Sequence, residues 1–366
     1  MAASERLMRT QQHLTRYLLG YAVGAMALGL AFGYAASGWT KAHTGLLGDL
    51  TTVGVFLIIF PMMINVRFGA LVKAGRNVKG LLLALAFNFL WAPVLGWVLA
   101  QIFLHDPQLA LGFLLVMVVP CSSMSIAYTG LAEGDLELAT VVVASSFVLA
   151  LAAVPIWMTV FASGYNVPVP MHDLLVSIGT VLLAPMLLGF LTRHMIVRRR
   201  GHEAVKRLQP LLAAFSMLAM FTIIFLIFFA KEQLIVARWQ TVLLLLIPNA
   251  LFIAVTLLAA TWLDRRLGLP YREHMAVVFA ATGKNNATAI AVAAVAFSPL
   301  VAVPAATMPI FQVLLLVGYL KAANRVRRYF AANEPVADAA NAERLAASAE
   351  AALSAARDHG NGIRRV

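Results

Sequence analysis

Two short polar segments lie inside otherwise apolar stretches of the chain, at residues 119–125 and 282–288. Together they offer a thiol, an amine, hydroxyls and amides, which are groups that can contact a small polar solute or exchange a proton. Proline removes a backbone donor, and glycine beside consecutive asparagines favours local unwinding. We therefore predict two interrupted helices whose substrate and ion pathway is lined by Pro120, Cys121, Ser122, Ser123, Ser125, Gly283, Lys284, Asn285, Asn286 and Thr288.

Lys284 is the charged residue that lies near the middle of an apolar stretch. A lysine at the centre of a bilayer costs about 2.5–3.5 kcal/mol on insertion scales, so we expect it to face a polar cavity. No acidic residue lies inside a predicted span to pair with it, because Asp49 and Asp173 fall near span starts. An amine held away from water without a counter-charge gives up its proton more readily. Lys284 is therefore either a proton-exchanging group or a structural lysine bonded to carbonyls of the segment at 119–125.

Cys121 is the single cysteine of the chain, so no disulfide can form within it. A lone buried cysteine usually behaves as a small hydrophobic residue. Residue type alone therefore favours packing for Cys121, and the sequence indicates no metal-ligand cluster and no cofactor.

The composition indicates an integral membrane protein. Of 366 residues, 61% are hydrophobic and 12% are charged, and the mean hydropathy is +0.85. A soluble domain of this length could not shield so much apolar surface, whereas a bilayer replaces water around it. At about 17–25 apolar residues per span, the sequence predicts an all-α fold of ten transmembrane helices near residues 17–36, 47–65, 80–104, 108–130, 138–161, 174–195, 208–230, 240–263, 274–297 and 299–320.

The basic residues give this arrangement an orientation. With the N-terminus inside, only Lys41, Lys231 and Arg238 of the 28 basic residues fall in outer loops, while Lys284 lies within a span. This asymmetry follows the positive-inside rule and predicts a multi-pass protein of the cell inner membrane with both termini in the cytoplasm. It also accounts for the net charge of +12 without a nucleic-acid partner.

Three regions follow from this topology. Residues 1–16 are polar and lack a signal-peptide cleavage pattern, so we expect a cytoplasmic N-terminal segment. Residues 17–325 are expected to form the ten-helix transmembrane domain. Residues 326–366 are expected to be a weakly ordered cytoplasmic tail rich in alanine and charge, with a short helix near 339–357.

The two interrupted spans, the fourth and the ninth, are five spans apart. Two five-helix halves would insert with opposite orientation, since each half contains an odd number of spans. Broken helices at matching positions of inverted repeats are the best sequence indication of a transport site at the bilayer midplane. Asn88 and Asn249 also fall five spans apart, although such residues more often bond one helix to another.

These residues resemble a known family. Residues 120–124, followed by Gly134-Asp135, resemble the fourth span of the arsenical-resistance metalloid exporters, which share a superfamily with the bile acid:sodium symporters. Residues 61–67, Asn88 with Pro93, and residues 271–293 resemble their second, third and ninth spans. The likeness covers roughly residues 20–325. It implies a ten-helix fold with a panel domain and a core domain, crossed helices 4 and 9, and elevator-like or rocking alternating access.

The resemblance also implies functional residues, and the match is incomplete. The exporters' functional cysteine corresponds to Cys121, which the resemblance makes a candidate metalloid contact, with packing as the other interpretation. One thiol cannot build the three-sulfur site that trivalent arsenic prefers, but it can supply a single weak contact suited to release. The exporters' ninth-span glutamate falls on Ala287. The symporters' sodium-binding acid falls on Ala281, and the glutamine four residues later falls on Asn285. A sodium site without a carboxylate is weak, and a nearby ammonium would repel the ion. We therefore expect protons rather than sodium as the coupling ion, or a lysine charge in place of a bound ion.

Three functions remain open from the sequence, and none is enzymatic. The leading one is a secondary transporter, an antiporter that exports arsenite or antimonite in exchange for protons. The second is an organic-anion transporter of the bile acid:sodium symporter type, in which Lys284 attracts the anion. A remote third is a sensor with a chromophore linked to the lysine. An enzyme is not expected, since the spans contain no paired acids, metal-ligand cluster or nucleophile elbow.

Overall fold

The backbone is helical almost throughout the part of the chain that the structure describes. The computed structural model describes residues 13–14, 17–66, 77–165, 171–230, 232–237, 239–297 and 299–333. No β-strand occurs within those ranges, apart from one isolated two-residue bridge. The predicted all-helical class is therefore confirmed.

Sixteen helices are used below, numbered along the described residues. The first seven are α1 (Leu18–Ala35), α2 (Ser37–Ala42), α3 (Thr44–Asn65), α4 (Val78–Phe103, with a π-helical turn at Phe87–Trp91), α5 (Pro107–Val118), α6 (Met124–Leu131) and α7 (Leu136–Gly164). The others are α8 (Leu174–Gly201, with a π-helical turn at Ile178–Leu183), α9 (Glu203–Ala230), α10 (Glu232–Ala237), α11 (Trp239–Leu244), α12 (Leu246–Arg266), α13 (Tyr271–Thr282), α14 (Asn286–Ala296), α15 (Val303–Lys321) and α16 (Ala323–Phe330).

Six helices in the described residues are long and apolar enough to cross a membrane by length and composition. They are α4, α7, α8, α9, α12 and the helix at Leu300–Lys321 that contains α15. The protein is thus a helical, multi-pass membrane protein. The predicted ten spans require α1, α3 and the two broken pairs α5–α6 and α13–α14 in addition, and that count stays a prediction.

Short polar side chains fix where several helices begin. Asp106 precedes Pro107 and accepts hydrogen bonds from the backbone N–H groups of Gln108 and Leu109, at 3.0 and 3.2 Å. Asp135 caps α7 in the same way. Such caps satisfy N–H groups that have no partner inside the helix. The caps of α5 and α7 therefore position the helices on both sides of the first polar segment.

Glycines allow close contact between α1 and α9. A Cβ atom on Gly29 would lie 2.6 Å from the carbonyl oxygen of Phe225, and one on Gly33 would lie 2.6 Å from that of Phe229. A Cβ on Gly189 of α8 would likewise lie 2.5 Å from the Cβ of Met63 on α3. Small residues at such crossings let helix backbones approach in membranes, where apolar burial alone does not drive association.

The last described residues form a folded end. Residues 326–333, which the sequence assigns to the tail, lie in α16 and in a 3-10 turn at Ala331–Asn333. They are ordered because Val326 and Phe330 are buried, and Arg327 forms an ion pair with Glu133. The hydrogen bond from Arg327 lowers the pKa of Glu133 below its ordinary value. The helix predicted at 339–357 lies outside the described residues, as do residues 1–12.

Candidate functional site

The two interrupted segments lie against each other. α5 ends at Val118 and α6 begins at Met124, while α13 ends at Thr282 and α14 begins at Asn286. Between them the backbones pair in antiparallel fashion, with Cys121 opposite Lys284. Ser122 N donates to Gly283 O at 2.7 Å, and Asn285 N donates to Pro120 O at 3.0 Å. The backbone groups released by one break are thereby satisfied by the other, as a buried unwound segment requires.

Gly283 is required by the closeness of this crossing. Its φ of −82° is open to any residue. A Cβ atom there, however, would lie 2.4 Å from Ser125 Oγ and 2.6 Å from the carbonyl oxygen of Phe279. Ser125 Oγ itself donates to Gly283 O at 3.4 Å. The glycine therefore sets the distance between α6 and the end of α13.

Lys284 is fully buried at the crossing and donates three hydrogen bonds. Its Nζ atom lies 2.9 Å from Met117 O, 3.1 Å from Asn88 O and 3.1 Å from Asn88 Oδ1. The surroundings of Nζ are polar, as expected, and consist of protein oxygens that lie outside residues 119–125. An ammonium has three donors and no acceptor, so three oxygens match its protonated form.

The sequence around Asn88 explains why its carbonyl is free. In the π-helical turn at Phe87–Trp91, the Ala92 N–H bonds to Phe87 O instead of Asn88 O. The next residue is Pro93, which has no N–H to offer. Asn88 Nδ2 donates to Ala84 O and Ala280 O, at 3.0 and 3.2 Å. These two hydrogen bonds fix the side-chain amide with its Oδ1 toward Lys284. Lys284 thus donates to the backbone oxygen and the side-chain oxygen of Asn88, neither of which is bonded within α4.

Met117 O is the third acceptor, and it lies in the last turn of α5. Cys121 N would normally bond to it, but donates to Ser146 Oγ at 3.3 Å instead. The C-terminal end of a helix carries partial negative charge, which favours a cation there. The lysine charge is therefore stabilised by a half-helix end, without a carboxylate among the described contacts.

Cys121 is enclosed by protein. Its side chain is fully buried, and Sγ lies 3.2 Å from Ser146 Oγ. The Ser146 hydroxyl donates its proton to Val143 O at 2.8 Å, so the thiol acts as the donor to Ser146. Among the described residues no group of three or more His, Cys, Asp or Glu could hold a metal ion. In this conformation Cys121 is a protonated, packed thiol.

Amides extend the polar cluster into α14 and α15. Asn285 Oδ1 caps α14 by accepting from Thr288 N at 3.1 Å, and its Nδ2 faces Met62 Sδ at 3.6 Å. Asn286 Nδ2 donates to Gln312 Oε1 at 3.1 Å, and Gln312 Nε2 donates to Lys284 O at 3.3 Å. Asn286 Oδ1 and Thr288 Oγ1 are buried without a hydrogen-bond partner.

Most of the predicted pathway residues meet at this crossing. Pro120, Cys121, Ser122, Ser125, Gly283, Lys284 and Asn285 make contacts across the two breaks. Ser122 Oγ also accepts a hydrogen bond from Met124 N. Ser123 precedes α6 and makes no side-chain cap bond. Asn286 and Thr288 lie in the first turn of α14, beyond the break. Sequence reasoning missed Gln312, Met62 and the role of Asn88. A polar amide within an apolar span was the available signal for Gln312 and Asn88.

Comparisons with known proteins identify a family and several relatives. A family model described as "Sodium Bile acid symporter family" matches residues 52–238. The arsenical-resistance protein Acr3 of Corynebacterium glutamicum is 26% identical, over 84% of this chain and 88% of the relative. Acr3 of Alkaliphilus metalliredigens is 24% identical, over 86% of this chain and 93% of the relative. YocS of Bacillus subtilis, described as an uncharacterized sodium-dependent transporter, is 25% identical over 73% of this chain and 80% of the relative.

The matches show that this chain is a transporter and not an enzyme. Its two interrupted segments meet in a helical membrane protein, with small polar groups at the crossing. The family model covers just over half of the chain. The protein therefore belongs to the sodium bile acid symporter family.

Proposed function

We propose that this chain is a secondary active transporter of the cell inner membrane that exports arsenite or antimonite in exchange for protons. Two relatives that align over most of the chain are named arsenical-resistance proteins. The observation that carries the proposal is the burial of Lys284 with every N–H of its ammonium donated to protein oxygens.

That burial weighs against the organic-anion alternative. An anion attracted by Lys284 needs an open N–H donor on the ammonium, and the described conformation has none to spare. Breaking one of these bonds would leave a buried carbonyl oxygen without a donor, at a cost of about 1–3 kcal/mol. Arsenite is neutral near pH 7 and needs no counter-charge. A neutral metalloid hydroxide is therefore the better substrate for this site.

Cys121 supplies the soft contact in this proposal. Its sulfur lies at the break of the first interrupted helix, next to the backbone that pairs with Lys284. Relative movement of the two breaks would expose the thiol to a solute. Because a single sulfur binds weakly, the substrate can be released on the other side.

Lys284 supplies the coupling to protons. The three oxygens around Nζ match an ammonium, whereas a neutral amine would turn a lone pair toward one of them. Loss of the proton therefore destabilises the closed crossing. The population of the closed conformation falls when the proton leaves, because that conformation favours the protonated lysine. A helix C-terminal end with free carbonyls is also where such transporters place a cation. The lysine ammonium takes that place here, so sodium is not required, although YocS is described as sodium-dependent.

Growth of an exporter-deficient host on arsenite tests the substrate. The wild-type chain should restore resistance, and Cys121→Ser should abolish it at an equal amount of membrane-inserted protein. Ser163→Ala, which changes an exposed hydroxyl on α7, is the matched control and should retain resistance. Absence of resistance with well-inserted wild-type protein would contradict the proposed substrate, and resistance retained by Cys121→Ser would assign the thiol to packing.

A further inference from the structure

A second buried polar cluster lies apart from the crossing, at the other end of α13. Asp264 on α12 and His274 on α13 are both fully buried, with His274 Nδ1 2.7 Å from Asp264 Oδ2. His274 Nε2 lies 2.8 Å from Tyr319 Oη on α15, and Tyr319 Oη lies 2.6 Å from Thr261 Oγ1 on α12. Thr261 Oγ1 in turn lies 2.6 Å from Leu257 O.

The direction of each hydrogen bond in this chain follows from its last member. Leu257 O can only accept, so the Thr261 hydroxyl donates to it. Thr261 has no second proton, so Tyr319 donates to Thr261. Tyr319 then has no proton left for His274, and its oxygen must accept from His274 Nε2. His274 therefore carries a proton on Nε2.

With Nε2 protonated, the proton between His274 Nδ1 and Asp264 Oδ2 can reside on either side chain. If Nδ1 also carries a proton, the pair is an imidazolium with a carboxylate; if not, Asp264 is a protonated acid that donates to Nδ1. Both arrangements hold the same number of protons, and both make the pair neutral overall. Asp264 Oδ1 is buried without a hydrogen-bond partner, which a carbonyl oxygen tolerates better than a carboxylate oxygen does. This favours the arrangement with the acid protonated.

We infer that Asp264 and His274 form a second proton-binding site, separate from Lys284, whose proton is released only when α13 moves relative to α12 and α15. Release sends one proton to water and leaves a neutral imidazole beside a carboxylate. The pair then carries one negative charge in a fully buried position. An unpaired charge in such surroundings is strongly unfavourable, so water must reach the site as the proton leaves.

The neighbouring groups do not offset that charge. Phe330 of α16 covers the His274 ring, with ring centroids 4.3 Å apart. The cations packed at this end make other contacts: Arg265 lies over the Tyr329 ring, Arg266 over Trp262, and Arg327 over Tyr271 and beside Glu133. The other charged groups on α13 and on the helices packed against it are Lys79 on α4, Glu137 on α7, Arg272 and Glu273 on α13, Lys321 on α15, and Arg325 and Arg328 on α16. The Tyr128 phenol lies on α6, which also packs against α13. Displacement of α13, which would also take the His274 ring away from Phe330, is therefore the way to admit water.

This site shares a helix with the crossing. His274 lies in the first turn of α13, and the same helix ends at Thr282, directly before Gly283 and Lys284. A displacement of α13 that releases the proton would also move the backbone at the crossing. The proposed link to transport rests on the proposed function, whereas proton binding by the pair does not.

Nitrogen-15 NMR of histidine-labelled full-length protein in lipid nanodiscs tests the binding directly, without substrate or a gradient. Wild-type His274 should carry a proton on Nε2 at neutral pH, and its Nδ1 signal should change in one step as the pH is raised, because the Asp264 proton that bonds to Nδ1 is released. Asp264→Asn should remove that step, because its amide can donate to Nδ1 while carrying no charge. Asp106→Asn, which keeps a side-chain cap at the start of α5 and lies outside this cluster, should leave the His274 signals unchanged. A wild-type His274 with a bare Nε2 at neutral pH would overturn the inference.

A second variant keeps the test decisive if Asp264→Asn does not fold. Tyr319→Phe removes the acceptor of the Nε2 proton, so at a fixed neutral pH a smaller share of His274 should carry it. An unchanged share would contradict the inferred direction of the hydrogen bonds. Transport assays then separate the two proposals, since the NMR result stands even if arsenite is not the substrate.

Discussion

The ammonium of Lys284 has three N–H donors and three oxygen neighbours. A substitution that removes a donor therefore leaves at least one buried oxygen without a partner. Lys284→Gln offers fewer donors and no titratable proton. We expect transport in proteoliposomes to lose its dependence on an imposed pH gradient, and the free energy of unfolding to fall by about 1–3 kcal/mol because at least one oxygen loses its donor.

Lys41→Gln is the matched control, since Lys41 is exposed near the end of α2. It should keep both the pH-gradient dependence and the stability. Transport driven by a sodium gradient, or coupling to pH that survives in Lys284→Gln, would show that the lysine is not the coupling group.

Single residues were predictable from the sequence where their type was unusual for a membrane span. Lys284 and Cys121 stood out in this way, but the partners of Lys284 did not. The carbonyl of Asn88 is free only because a π-helical turn precedes Pro93, and such a turn has no clear sequence signal. Asp264 was missed because the predicted eighth span ended one residue before it, whereas α12 continues to Arg266.

At the scale of elements, the two breaks determine how closely the half-helices approach. Gly283→Ala would place a methyl group 2.4 Å from Ser125 Oγ. We expect this overpacking to lower the free energy of unfolding in detergent by about 1–3 kcal/mol and to reduce transport.

Gly318→Ala on α15 is the control, because nothing lies within 4 Å of the added methyl group. It should be neutral or stabilise by up to about 1 kcal/mol, as alanine favours a helix over glycine. Ser125→Ala should recover part of the loss in the Gly283→Ala background. If Gly283→Ala unfolds like the control, the close approach does not constrain the crossing.

The contact between α16 and the loop after α6 depends on pH in a defined direction. The hydrogen bond from Arg327 lowers the pKa of Glu133, so the pair contributes fully at neutral pH and is lost as the pH falls below the ordinary pKa of a glutamate and Glu133 becomes protonated. Both side chains are largely exposed, so a double-mutant cycle with Glu133→Gln and Arg327→Gln should give only about 0.2–1 kcal/mol at pH 7. A coupling that grows on acidification would contradict this assignment.

The positions of the helices were predictable because each is an apolar run bounded by polar or charged residues. The interruptions were predictable from proline, glycine and asparagine. The pairing of the two breaks was expected through the proposed repeat and the family resemblance, because backbone hydrogen bonds between residues 120–122 and 283–285 leave no trace in local sequence. The two π-helical turns and α16 were not predicted.

At the scale of the whole molecule, several loops meet at one end. Asp135 N donates to Arg272 O at 2.8 Å, Arg327 pairs with Glu133, and Asn333 Nδ2 donates to Leu269 O at 3.1 Å. Lys79, at the start of α4, donates to Leu267 O. These are segments that the distribution of basic residues assigned to a single side of the membrane.

We therefore expect both termini in the cytoplasm. A fluorescent-protein fusion after Val366 should fold and fluoresce, whereas an alkaline-phosphatase fusion there should be inactive. A phosphatase fusion at residues 166–170, after the predicted fifth span, should be active. Active phosphatase after Val366 would contradict the even number of spans and the orientation.

The solitary sulfhydryl makes the unmodified protein its own reporter of opening. Cys121 is the only cysteine in the sequence and is fully buried where the two breaks cross. A maleimide reagent can therefore alkylate the wild-type chain only during the intervals in which the crossing separates. When separation and closure are fast, the alkylation rate is the intrinsic rate of a free thiol multiplied by the fraction of time spent open. The effect of arsenite, of a pH jump or of Lys284→Gln on the open fraction can each be measured as a change in the alkylation rate of Cys121.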